Sequence, residues 1–237
     1  MNKTTLAAVA LAAMPLGAHA QNLNGFYVGA RGGANWLLDN SANISGTATV
    51  GSFGTGTFNS TTNATYETGW AAGGFIGYDF GGPRVEVEVL YHDNKGTANS
   101  IVPVSGVGTL RVTGHLDVQQ TSVMTNLYYD FLAREALTPY VGAGAGIAFI
   151  NRSGGLARTD DTEFAYQAIV GVGYKVTPNV RIDLDGRYYG TLNPTFNTDF
   201  TLNGSTPVSG HSSGSWSNNN FALLASVVYS FGPAPQH

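Results

Sequence analysis

Arg84-Val85-Glu86-Val87-Glu88-Val89-Leu90-Tyr91-His92 alternates polar or charged residues with β-branched and aromatic ones. Successive side chains of a strand point to opposite faces, so Val85, Val87, Val89 and Tyr91 share one face while Arg84, Glu86, Glu88 and His92 share the other. A strand with lipid on one side and a polar interior on the other needs this pattern. The Gly81-Gly82-Pro83 that precedes it reads as a tight turn.

The same period of two recurs on both sides of this stretch. Upstream, Phe26, Val28, Ala30, Ala34 and Trp36 oppose Tyr27, Gly29, Arg31, Gly33 and Asn35; then Trp70, Ala72, Ile76, Tyr78 and Phe80 oppose Gly73, Gly77 and Asp79. Downstream, Leu127, Tyr129 and Phe131 oppose Asn126 and Asp130, and Val141, Ala143, Ala145, Ile147 and Phe149 oppose Gly142, Gly144, Gly146 and Ala148. Small residues on an inward face leave room in a narrow lumen. Three more segments complete the series. Phe164, Tyr166, Ala168, Val170, Val172 and Tyr174 oppose Gln167, Gly171, Gly173 and Lys175, while Ile182 and Leu184 oppose Arg181, Asp183, Asp185 and Arg187. In the last segment Phe221, Leu223, Ala225, Val227, Tyr229 and Phe231 face outward.

Long connections of roughly 30, 24, 12 and 29 residues alternate with the short Gly81-Gly82-Pro83, Leu132–Thr138 and Thr177-Pro178-Asn179. Short turns belong on the periplasmic side, and an even strand count lets the last strand pair with the first so that no edge meets lipid. Aromatic residues prefer the two membrane interfaces. Phe26, Tyr78, Phe80, Tyr129, Phe131, Tyr140, Tyr174, Tyr229 and Phe231 are expected to ring the periplasmic boundary, and Trp36, Trp70, Tyr91, Phe149, Phe164, Tyr188 and Phe221 the outer one. A soluble β-sandwich gives no reason for either regularity. The predicted fold is all-β, an eight-stranded antiparallel up-and-down transmembrane β-barrel.

Composition points the same way. Only 11% of the residues are charged, yet no run of even fifteen apolar residues follows the N-terminal segment, which excludes spanning by helices. That segment runs from Lys3 through the apolar Leu6 to Leu16 to Ala18-His19-Ala20, the layout of a secretory signal peptide. Residues 1–20 are therefore read as a signal peptide cleaved near Ala20. Residues 21–237 are read as the barrel domain, its last strand ending near 231 and a short tail, 232–237, hanging into the periplasm. Eleven Lys and Arg against fifteen Asp and Glu, with no basic cluster, argue against a nucleic-acid partner. With no cysteine there is no disulfide framework and no thiolate metal site.

Gly81-Gly82-Pro83-Arg84-Val85-Glu86-Val87-Glu88-Val89-Leu90-Tyr91, Asn126-Leu127-Tyr128-Tyr129-Asp130-Phe131, Pro139 to Gly146 and Tyr166 to Tyr174 together resemble the surface-antigen (major surface protein) branch of small outer-membrane β-barrels, which includes opacity-like and OmpA/OmpX-type domains. The resemblance implies an eight-stranded barrel in the bacterial outer membrane, surface exposure and, for several members, adhesive or antigenic roles. It brings no catalytic residues and no cofactor. It also implies a C-terminal signal for the barrel assembly machinery, carried here by Val227, Tyr229 and Phe231, although Gly232-Pro233-Ala234-Pro235-Gln236-His237 follows where such barrels end on an aromatic.

The inward charges are Arg31, Arg84, Lys175, Arg181 and Arg187 against Asp79, Glu86, Glu88, Asp130, Asp183 and Asp185. Eight strands enclose only enough room for side chains, so these are expected to pair across the lumen as a structural network that plugs it. Glu86 and Glu88 have the spacing of an acid/base pair, but facing inward among arginines they read as structural. His211-Ser212-Ser213 has the His-x-Ser spacing of a barrel hydrolase acting on lipid A, here in a Gly/Ser/Asn-rich loop off any convincing strand. His92, His115 and His211 have no metal-ligand spacing and read as exposed loop residues, so no metal is expected. The first and fourth loops, rich in Ser, Thr, Asn and Gly, are compatible with extended strands above the membrane or with a mobile chain. The third carries Arg152, Arg158, Asp160, Asp161 and Glu163. The functional expectation is a non-enzymatic surface protein in contact with outer-membrane lipid, whose loops 37–66, 94–117, 152–163 and 191–219 meet a host or cell-surface ligand. The rivals are a barrel enzyme acting on lipid A and a narrow channel.

Overall fold

The computed structural model describes residues 25–50, 55–104, 108–133, 135–154, 157–192, 195–202, 208–215 and 218–231. The signal peptide and the tail 232–237 lie outside these residues. Eight strands close the barrel: β1 (Gly25–Leu37), β4 (Gly69–Asp79), β5 (Pro83–Val104), β6 (Gly108–Asp130), β7 (Leu137–Gly154), β8 (Ala157–Lys175), β9 (Val180–Thr191) and β12 (Asn219–Ser230). Each pairs antiparallel with its neighbour, and β1 closes on β12 from Tyr27↔Ser230 to Leu37↔Asn220. Closure satisfies every ladder in lipid, where an open edge is not tolerated.

The short turns follow from their residues. Gly81 and Gly82 take φ values of 95° and 146°, a region that favours glycine, while Asp79 Oδ1 accepts a hydrogen bond from the Gly81 amide at 2.7 Å. At the third turn the Thr177 hydroxyl accepts from the Val180 amide at 3.0 Å.

Outward and inward faces alternate as the period of two requires. Val85, Val87 and Val89 are exposed on the barrel wall while Arg84, Glu86 and Glu88 are buried inside. Aromatic belts mark both boundaries. Phe26–Tyr78, Tyr78–Phe80, Tyr129–Phe131 and Tyr229–Phe231 pack with centroids 4.6 to 5.3 Å apart at the turn end, and Trp70–Tyr91 and Tyr188–Phe221 at 5.4 and 5.3 Å at the other. Tyr140 corrects the expected periplasmic ring. It is buried in the lumen, because it has the parity of the inward Gly142 and Gly144.

The larger departure is beyond the outer belt. Most of what reads as long loops is strand. β2 (Asn40–Val50) and β3 (Thr55–Tyr66) occupy the first loop, β10 (Thr195–Leu202) and β11 (Val208–Ser215) the fourth, and the β5–β6 and β7–β8 hairpins run on through the second and third. A transmembrane strand needs about 9–11 residues, so roughly half of β5, 22 residues long, projects past the membrane. There β3 takes over from β4 as partner of β5, from Tyr66↔Gly96 to Thr61↔Ile101, and β11 pairs with β2 where β12 paired with β1 below. The wall thus continues outward as a second tier. Among the described residues no ladder joins β8 to β10 above Ala165↔Thr191.

Candidate functional site: the filled lumen and the outer tier

Charge is concentrated in the periplasmic half of the lumen, and the structure brings most of it together there. Arg31 bridges Glu86 at 2.8 Å and contacts Glu88; Arg187 reaches Glu88 across the lumen at 2.8 Å and also contacts Asp185. Glu88 is fully buried and accepts a further hydrogen bond from Gln167 Nε2 at 3.3 Å, so a single carboxylate joins β5 to β1, β8 and β9. Nearer the turns, Arg84 and Arg181 both bond Asp130, at 2.9 and 3.2 Å, and Arg181 pairs with Asp183 at 2.7 Å.

Two of the eleven expected members also serve the turns. Asp79 organises the Gly81-Gly82 turn, and Lys175 donates to the Ala133 carbonyl. Turn geometry explains both, since each lies at its strand's periplasmic end where backbone groups lack ladder partners.

The charged groups share the lumen with residues that the charge pattern does not single out. Tyr128 donates to Glu86 at 3.1 Å and Tyr140 to Asp185 at 3.1 Å. The Arg84 guanidinium lies over the Tyr128 and Tyr140 rings at 4.6 and 5.1 Å, and Arg31 over Phe75 at 3.8 Å. Parity marks all of these as inward. The glycine face of β7 serves this packing, since a Cβ on Gly144 would come within 1.9 Å of Asn126 Oδ1 and one on Gly142 within 2.5 Å of the Tyr128 ring.

Outward of Glu88 the filling changes character. Leu90, Leu224, Ala71 and Ala222 form one apolar cluster, and Leu37, Val118, Met124, Ala148, Ile150, Ala165 and Tyr189 another. Amides lie among them. Asn35 Nδ2 bonds Asn94 at 2.5 Å and Asn218 Nδ2 bonds Gln120 at 2.5 Å. His92 corrects the expectation of an exposed loop histidine: it is buried beside Gln120, with Tyr189 at 5.6 Å. His115 and His211 are exposed, and among the described residues no His, Asp and Glu are grouped to hold a metal.

The third-loop charges divide between rim and interior. Arg152 bridges Asp161 at 3.0 Å, Asn151 donates to Asp160, and Glu163 is buried opposite Ala148. Arg158 lies opposite Ser153 on β8. His211 and Ser213 lie on strand β11 rather than off any strand, with Asp199 of β10 directly opposite His211. Val227, Tyr229 and Phe231 are all exposed on the outer wall at the periplasmic end of β12.

A family model described as surface antigen matches residues 38–233. The chain belongs to the surface antigen family. Curated relatives of this surface antigen include Major surface antigen 4 of Anaplasma marginale, 29% identical over 157 residues that cover 60% of this chain and 54% of that protein. A second is an outer membrane protein of Gluconacetobacter diazotrophicus, 29% identical over 249 residues covering 97% of this chain and 64% of that protein. The chain therefore spans little more than half the length of one and under two thirds of the other. The crystal structure of the outer membrane protein OprG from Pseudomonas aeruginosa shares the fold, with a TM-score of 0.51 at 14% identity, covering 90% of this chain and 99% of that one. Family and fold place this surface antigen in the bacterial outer membrane.

Proposed function

We propose that this surface antigen is a non-enzymatic surface protein, its barrel a sealed anchor and its outer tier the surface that meets a host or cell-surface ligand. The observation that supports the reading is the cross-lumen bonding of Glu88 to Arg31 and Arg187, which fills the section of the barrel that an ion would have to cross. A low-dielectric lumen holds such groups only when they are mutually paired, and their pairing makes them a plug. Contact with outer-membrane lipid follows from the exposed apolar wall, and Val227, Tyr229 and Phe231 are the stretch we assign to the assembly machinery. In planar bilayers the purified protein is expected to add no conductance, while its binding to target cells depends on residues of the outer tier. Stable single-channel steps would overturn the plug.

One observation favours a second reading, a hydrolase of lipid A: the β10–β11 register sets Asp199 opposite His211, with Ser213 two residues further along the same face. An acid, a histidine and a serine in such order are the components of a nucleophilic triad. Mass spectrometry of lipid A from cells carrying the wild type, His211→Ala or no gene decides it. Acyl loss that depends on His211 establishes the enzyme; identical spectra remove it.

A further inference from the structure

The outward face of the second tier has a composition that neither the anchor nor the plug explains. On β3, Thr61, Asn63 and Thr65 are exposed while Thr62 and Ala64 between them are buried, so the odd positions face out. The ladders align them into rows. Thr47 stands opposite Thr57, Asn63 opposite Asn99, and Thr113 opposite Asn99 in turn, its hydroxyl donating to Asn99 Oδ1 at 2.8 Å.

The sequences of β2, β3 and β11 and of β5 from Gly96 to Val104 contain no Asp, Glu, Lys or Arg. A water-facing surface normally carries about a quarter to a third charged residues. Charge lies instead beside this panel, at Arg111 of β6, Asp199 of β10 and on the β7–β8 hairpin with Arg152, Arg158, Asp160 and Asp161, and at a level below, where Lys95 stands opposite Asp117.

The face is continuous with the lipid-facing wall, since β5 passes from Tyr91 in the outer aromatic belt to Thr97 and Asn99 without a break. Six to eight residues rise ~20–26 Å along a strand, or ~15–20 Å above the belt at the usual barrel tilt. At that height the neighbours of an outer-membrane protein are the sugar heads of the glycolipid leaflet. Phosphate or another anion would call for cations, and an apolar partner for aliphatic side chains. Hydroxyls and amides in register, which together present both donors and acceptors, match the uncharged hydroxyls of sugars.

We propose that this face is seated against the neutral sugars of the outer leaflet's own glycolipid, so that the saccharide layer braces the second tier. The test uses the full-length protein in nanodiscs of two compositions at equal divalent cation: glycolipid with its complete neutral core sugars, and the same glycolipid cut back to its phosphorylated lipid anchor. Hydrogen exchange of peptides covering residues 55–66 and 96–104 is expected to be about tenfold slower with the complete sugars. In Asn63→Ala/Asn99→Ala/Thr113→Ala, which lies outside the barrel core and should keep its heat-modifiable gel mobility, that difference disappears. Equal exchange in the two nanodiscs overturns the proposal. So does protection that persists without the sugars and is lost on chelation, since the contact is then with phosphate.

Discussion

The two halves of the lumen fill the same width with opposite chemistry. Up to Glu88 the interior is ionic, with Glu86, Glu88, Asp130, Asp183 and Asp185 each held by one or two guanidiniums; outward of it the filling is mostly neutral, Leu90, Leu224, Met124 and Ile150 packing with amides, and Glu163 is buried there opposite Ala148. In the ionic half Arg187 on β9 reaches Glu88 on β5, Arg31 on β1 reaches Glu86 and Arg181 reaches Asp130 on β6, so these bonds tie the circumference together, while Arg181–Asp183 and Arg187–Asp185 pair along β9 itself. In the neutral half, close packing does the same work without orientation. Removing one ion therefore harms more than its own bonds, because the partner left behind is a buried charge with no water to return to.

Glu88→Ala gives the largest expected loss, about 3–5 kcal/mol, because it strands both Arg31 and Arg187. It is read as the urea midpoint for unfolding from detergent or vesicles. Arg187→Ala should approach it, and unchanged heat resistance of the folded gel form in either variant would show that the pairs contribute little. In the neutral half, Ile150→Ala should cost about 2–5 kcal/mol depending on collapse around the cavity, and Ile150→Val should recover most of that loss, whereas Glu88→Gln should not recover the loss of Glu88→Ala because both guanidiniums stay without a counter-charge. If the conservative variants recover stability alike in the two halves, the contrast between them is wrong. Tyr140→Phe keeps the ring over Arg84 and loses one bond to Asp185, for about 1.5–3 kcal/mol. The smallest effect belongs outside both halves: Thr57→Ala on the outer tier should stay within about 0.5 kcal/mol in detergent.

Parity made the barrel legible. Once the faces of Val85 to His92 were assigned, the same count located Arg31, Asp130 and Arg187 inside, because one-residue alternation leaves no third direction. It places Tyr128, Phe75 and Tyr140 inside as well, where attention to charge and to aromatic belts passes over them. What alternation does not reach is pairing between strands remote in sequence. Arg31, Asp79 and Lys175 have the same parity and similar charge density, yet the first bridges two glutamates and the others serve turns. The outer tier was hidden for a different reason. Ser, Thr, Asn and Gly segments such as β2 have no apolar face to fix a register, and only the ladders to β3 and β11 do so.

The unjoined boundary between β8 and β10 gives the outer tier an asymmetry that the membrane barrel lacks. Below, every strand has two neighbours and the ring resists opening at all points. Above, among the described residues, β8 and β10 lie close without a ladder and β6 has no β7 partner beyond Leu116, so β10, β11, β2 and β3 form a panel stitched along one side to β5. A panel fixed along one side swings about that side, so motion of the outer tier should concentrate toward β10 and fade toward β5. Sequence change at Thr195–Leu202 can then alter how the surface opens without touching the part that holds the protein in the membrane.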